Sequence, residues 1–128
     1  MPIETEDDVI LVRRAVRALA DANGFDVFAA AALTTATSEL TRNVWVHAHK
    51  GVAVVEELDG GDRVGVRIVF RDQGPGIADV ERVMAGGYST ARSMGLGLSG
   101  SRRLVDEFDL KTAVGSGTTV EIVKWKAL

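Results

Sequence analysis

Glu39 and Asn43 lie four residues apart in a stretch that reads as helix, so both project from one side about one turn apart. An asparagine oxygen so placed can ligate Mg²⁺, which takes hard oxygen ligands and keeps waters and substrate phosphates in its shell. A glutamate one turn away can orient and deprotonate an attacking hydroxyl. Alone, the pair also fits the solvated face of an amphipathic helix. Asp72 is harder to read as ordinary surface. It continues the alternation of Val64, Val66, Ile68 and Phe70, so its carboxylate points to the buried side of a strand and requires a donor there. Gly74 and Gly76 follow, and glycine permits positive φ and close approach of a ligand to the backbone. An adenine amino group is a donor that fits; a turn ending the strand is the plainer alternative.

Two further motifs complete the set. Gly95-Leu96-Gly97-Leu98 stands ahead of an amphipathic run, and bare N–H groups at a helix N-terminus bind phosphate well. The spacing is neither that of a Walker loop nor that of a dinucleotide fingerprint, and a hinge feeding a helix is the alternative. Gly117-Thr118 opens the last strand, where Thr118 shares the inward parity of Val120 and Ile122 and can reach adenine directly or through water; a β-branched residue opening a strand is the equally ordinary alternative.

These residues need a scaffold, and the hydrophobic periods supply one. Helices are expected over residues 8–22, with Val9, Val12, Val16 and Leu19 inward, and over 26–49, with Leu33, Ala36, Leu40, Val44 and His47 forming the stripe. The period then changes to two. Strands are expected over 52–58 and 63–72 around an Asp59-Gly-Gly-Asp62 turn. A short helix over 78–85 and a Gly/Ser/Thr-rich loop over 86–95 follow. A helix over 96–108 turns Leu98, Leu104, Val105 and Phe108 inward, and a hairpin of 109–114 and 118–125 closes the chain. The sum is an α+β, two-layer sandwich: a mixed, mostly antiparallel sheet with helices on one face.

Composition narrows the class. The 128 residues, 46% of them hydrophobic, suit one domain spanning 1–128 that buries roughly two thirds of its surface. There are no cysteines, so no disulfide framework, cysteine metal cluster or thiol nucleophile. A net charge of -3 argues against nucleic acid as a partner. No apolar run approaches the ~20 residues of a membrane span, and the acidic N-terminus is unlike a signal peptide. A soluble, cytoplasmic protein is expected. Trp45 and Trp125 are expected to be either interface anchors or aromatics covered by neighbouring elements.

In this order, Glu-x-x-x-Asn, Asp-x-Gly-x-Gly, Gly-x-Gly-Leu and Gly-Thr resemble the motif boxes of the GHKL (Bergerat-fold) ATPase and kinase superfamily, over essentially the whole chain. Ser38–Asn43, Asp72–Ile77, Gly87–Thr90, Arg103–Phe108 and Lys124-Trp125 look most like the small bacterial serine/threonine switch kinases, namely the stressosome and anti-sigma factor kinases. The resemblance implies ATP or ADP with Mg²⁺. Asn43 would be the metal ligand and Glu39 the catalytic base toward a protein Ser or Thr hydroxyl. Asp72 would accept from adenine, with Gly74, Gly76 and Ile77 shaping the site and Thr118 assisting. Gly95, Leu96, Gly97 and Leu98 would cradle phosphates. Residues 77–94 would form an ATP lid in which Ser89, Thr90 and Arg92 face the nucleotide. Related proteins place a phosphate-contacting residue at the position of His47, for which a structural histidine is the alternative. Arg92 departs from the glycine-rich stressosome pattern. It is offset by one residue from the arginine that touches the γ-phosphate in anti-sigma kinases, and a solvated lid residue is the other reading.

Glu39 bears on the reaction. Histidine kinase domains generally lack this glutamate, and here both histidines, His47 and His49, lie in the nucleotide helix. Gyrase-type ATPases carry transducer regions for which this chain has no room. The resemblance therefore implies a kinase whose substrate is a STAS-domain protein and whose second partner is a PP2C-type phosphatase. The alternatives are an anti-sigma factor that sequesters a sigma subunit, a nucleotide-gated binding module with little catalysis, and a free-standing histidine kinase ATPase domain.

Overall fold

The computed structural model describes residues 1–78, 84 and 92–126, with the backbone alone described for 92–97. The element order is β1 (Pro2–Ile3), α1 (Asp8–Ala22), α2 (Val27–Ala48), β2 (Gly51–Asp59), β3 (Val64–Asp72), α3 (Arg92–Leu104), β4 (Glu107–Ala113) and β5 (Gly117–Trp125). The five strands run β1-β2-β3-β5-β4, antiparallel at every pairing.

The period-two pattern sets which face of the sheet is covered. Ala53, Val66, Ile68, Phe70, Val120 and Ile122 point to the helices and join one core with Val12 and Val16 of α1, Leu33 and Leu40 of α2, and Leu98 of α3. On the opposite face Val52 and Val54 are exposed, and Arg67 bridges Glu56 and Glu121 across three strands. The helices thus lie on one face of the sheet.

The second helix is the central one, packed against α1, α3 and the sheet. Asp26 caps it, its carboxylate accepting the Ala29 N–H at 2.8 Å. His49 ends it in the left-handed region at φ 64°, its N–H donating to the Trp45 carbonyl. Because α2 has neighbours on several sides, polar positions are buried too. Thr34, Thr37 and Thr41 are satisfied by donating to the carbonyls of Ala30, Leu33 and Thr37, one turn back.

Both tryptophans are half-covered. Trp45 packs on the core beside Val9 and Ile10 of α1 and meets His49 edge-on. The Trp125 indole N–H donates to Glu107 at 2.6 Å, and the Arg63 guanidinium lies 3.8 Å from its ring centre.

The last third of the chain departs from expectation. The third helix starts at Arg92 and stops at Leu104, four residues earlier at each end than the pattern suggested. Phe108 faces the core as expected, but from β4. Its i+4 spacing from Leu104 imitates a helix, whereas the alternation Phe108, Leu110, Thr112 is that of a strand whose inner side these residues form. Asp106 makes the switch by accepting the Trp125 N–H and donating its own N–H to the Val123 carbonyl. The two-residue β1 was not anticipated, being too short for a periodic signal. The expected helix at 78–85 and loop at 86–95 fall largely outside the described residues.

Candidate functional site

The C-terminal half of α2, the end of β3 and the start of β5 converge on a cavity of about 280 Å³. Asn43, His47, Asp72, Gly76, Ile77, Leu98 and Thr118, all singled out in the sequence, line it together. Leu40, Val44, Ala48, Phe70, Pro75 and Val120 supply apolar wall. Few polar groups converging in an apolar cleft suit a flat heteroaromatic ligand.

Helical spacing brings Asn43 and His47 to one side of α2. Asn43 Nδ2 and His47 Nε2 are both buried and without a hydrogen-bond partner among the described residues. Buried polar atoms left in that state are costly, so a ligand group between them would relieve both. An amide can present either its oxygen or its nitrogen on rotation, so Asn43 fits a metal-bound or phosphate-bound ligand equally well.

Strand parity carries Asp72 to the helix side of β3, opposite Thr118 in β5. One carboxylate oxygen accepts the Gly74 N–H at 2.8 Å and folds the start of the following loop. The loop is then clasped by the β4–β5 hairpin. Gly115 N–H donates to the Pro75 carbonyl at 2.9 Å, and Ile77 N–H donates to Thr112 Oγ1 at 2.9 Å. Glycine is required at two points of this clasp. Gly76 has φ 76° and a Cβ there would stand 2.2 Å from the Ala113 carbonyl oxygen; Gly117 has φ 83° and a Cβ would stand 2.1 Å from that of Asp72. A side chain at Gly117 would prise Asp72 and Thr118 apart, and one at Gly76 would push the loop off the hairpin.

His47 titrates below its ordinary value because burial disfavours the charged ring, an effect opposed by the nearby Asp72 carboxylate. A histidine whose folded pKa is depressed resists protonation in the native state only. Its contribution to stability is therefore complete above the ordinary value of about 6.5 and is lost as pH falls through the lower folded value. The melting temperature should drop below pH ~6.5, and His47→Gln should flatten that drop; an identical pH profile for the two proteins would contradict it.

Glu39 does not line the cavity. It sits one turn before Asn43, about 6 Å back along the helix axis. Its side chain is 41% exposed and pairs with Arg42 at 3.2 Å. Gly95, Leu96 and Gly97 lie inside the first two turns of α3, not in a loop ahead of it, and Arg92 is the first residue of that helix. Leu98 is buried and closes one wall of the cavity. Ser89 and Thr90 lie outside the described residues. Thr112 was missed by the sequence reading, although its parity with Leu110 already turns it inward toward Thr118.

An antiparallel sheet covered by helices on one face, with a cavity between the central helix and the inner strand ends, defines the two-layer α+β sandwich of the Bergerat fold. The chain belongs to the histidine kinase-like ATPase domain family, whose model matches residues 2–124. It is 42% identical over 123 residues to the serine/threonine-protein kinase RsbT of Bacillus subtilis, covering 96% of this chain and 92% of that protein. It is also 25% identical over 99 residues to an anti-sigma F factor of Thermoanaerobacter, covering 73% of this chain and 68% of the other. Among solved structures, the histidine kinase domain of the blue-light activated histidine kinase EL346 from Erythrobacter litoralis shares the fold. The TM-score is 0.58 at 22% identity, over 97% of this chain and 61% of that one. No helix among the described residues is long and apolar enough to cross a membrane.

Proposed function

We propose that this chain is an ATP- and Mg²⁺-dependent protein serine/threonine kinase that works as a partner switch. Its substrate is a Ser or Thr hydroxyl of a STAS-domain antagonist. Once released, the kinase activates a PP2C-type phosphatase in a cytoplasmic stress response linked to a sigma factor. The observation that carries this reading is the convergence of Asn43, His47, Asp72 and Thr118 on one cavity in a chain similar over its length to a serine/threonine-protein kinase. Residues 1–128 act as a single kinase domain.

Each residue has a task. Asp72 and Thr118 hold the adenine edge, while Gly74, Gly76 and Ile77 keep the loop clear of it. Asn43 holds Mg²⁺, which supplies charge neutralisation to the phosphates. His47, Arg92 and the turn of backbone from Gly95 to Leu98 border the phosphates, with Ser89 and Thr90 in the lid. Glu39 takes the proton of the acceptor hydroxyl as it attacks the γ-phosphorus, and ADP leaves. The product phosphate adds roughly -1.5 to -2 charge beside a protein of net charge -3, so repulsion favours release. The similarity to an anti-sigma F factor supports an alternative reading, in which the chain is an anti-sigma factor that sequesters a sigma subunit.

Calorimetric titration with ATP, with and without Mg²⁺, tests the site. Wild type should gain affinity on adding Mg²⁺, and Asn43→Ala should lose that gain by ~10-fold or more. An affinity indifferent to the metal would remove Asn43 from the assignment.

A further inference from the structure

Thr112 stands directly across the β4–β5 ladder from Thr118. Its Oγ1 accepts the Ile77 N–H at 2.9 Å, lies 3.1 Å from the Gly117 carbonyl oxygen, and lies 2.9 Å from Thr118 Oγ1. A threonine hydroxyl has one proton and two lone pairs. If the proton goes to Gly117, one lone pair serves Ile77 and the other receives the proton of Thr118. All three contacts are then hydrogen bonds and Thr112 is saturated. If the proton goes instead to Thr118, the Thr112 and Gly117 oxygens face each other with no hydrogen between them. The first arrangement satisfies more groups in a half-buried setting and is the favoured one.

Its consequence falls on the cavity. Thr118, having spent its proton on Thr112, turns only lone pairs toward a ligand. Beside it stands Asp72, an acceptor through both oxygens, one of them already taken by Gly74. We infer that Thr112 is a positioning residue: it fixes Thr118 as an acceptor, so that Asp72 and Thr118 together take the two N–H groups of an amino group at C6, which a purine with a carbonyl at C6 lacks. The inference rests on the nucleotide-binding reading proposed above and adds to it a residue that never touches the ligand.

The test compares the affinities of ATP and inosine triphosphate, which carries the carbonyl, by calorimetry. Wild type should favour ATP. Thr112→Val frees the Thr118 proton to turn toward the ligand, so the preference should narrow by about fivefold to tenfold, and Thr112→Ser should restore it. If the valine protein does not fold, Thr112→Cys keeps the volume with only a weak donor and acceptor, and the same narrowing is expected. Affinities for both nucleotides that fall in parallel, or a ratio that does not move, would overturn the inference by reducing Thr112 to a loop brace. Wild-type protein that binds neither nucleotide would overturn the nucleotide reading itself, and the inference with it.

Discussion

Replacing Glu39 by alanine is expected to lower phosphate transfer by ~10²–10⁴-fold while ATP affinity stays within about twofold. The two effects separate because of where Glu39 sits. It lies outside the cavity wall, one turn of α2 before Asn43, so no group that lines the cavity is lost with it. Its side chain is 41% exposed and its partner, Arg42, 53% exposed. An exposed pair of this kind contributes ~0–1 kcal/mol, so the variant should fold and melt almost as wild type does. A loss of transfer then reads as a loss of chemistry. Single-turnover transfer beside a nucleotide titration makes the comparison, and wild-type transfer rates in the variant would remove Glu39 from the mechanism.

Asp72→Asn should weaken ATP binding by on the order of 100-fold. The number of acceptors decides the effect. A carboxylate has two acceptor oxygens, and here one of them already holds the Gly74 N–H at 2.8 Å. The other is left for a ligand amino group. An asparagine of the same shape has one oxygen for two donors and adds an NH₂ that repels the ligand's own. Either the loop loses its Gly74 contact or the ligand loses its acceptor. Since the Gly115–Pro75 and Ile77–Thr112 hydrogen bonds still tie the loop to the β4–β5 hairpin, melting should change little. Unchanged ATP affinity by calorimetry would exclude Asp72 from base recognition.

Local periodicity explains why so much of the site could be read before the fold was known. Asn43 and His47 come together because both lie on one side of a helix. Asp72 and Thr118 come together because each continues the inward parity of a strand, and the β3–β5 pairing sets them opposite one another. The helix Asp8–Ala22 and the first hairpin match their expected spans closely, since each has one buried face and a clear stop. Features that depend on register or on competition between elements were less legible. Thr112 matters through a cross-strand contact, which only the pairing of β4 with β5 reveals. Gly95 and Gly97 suggest loop, because glycine disfavours helix by ~1 kcal/mol each, yet the backbone is helical from Arg92. That places the expected phosphate cradle within a helix rather than in a loop ahead of it.

Transfer of phosphate to a protein hydroxyl is the step that defines the proposed kinase. The most direct measurement incubates the protein with labelled ATP, Mg²⁺ and a purified STAS-domain protein, and then identifies the phosphorylated residue by mass spectrometry and acid stability. Acid-stable phosphate on a single serine or threonine of the partner is expected. Acid-labile phosphate on histidine, or ATP bound tightly with no transfer to the partner, would contradict it.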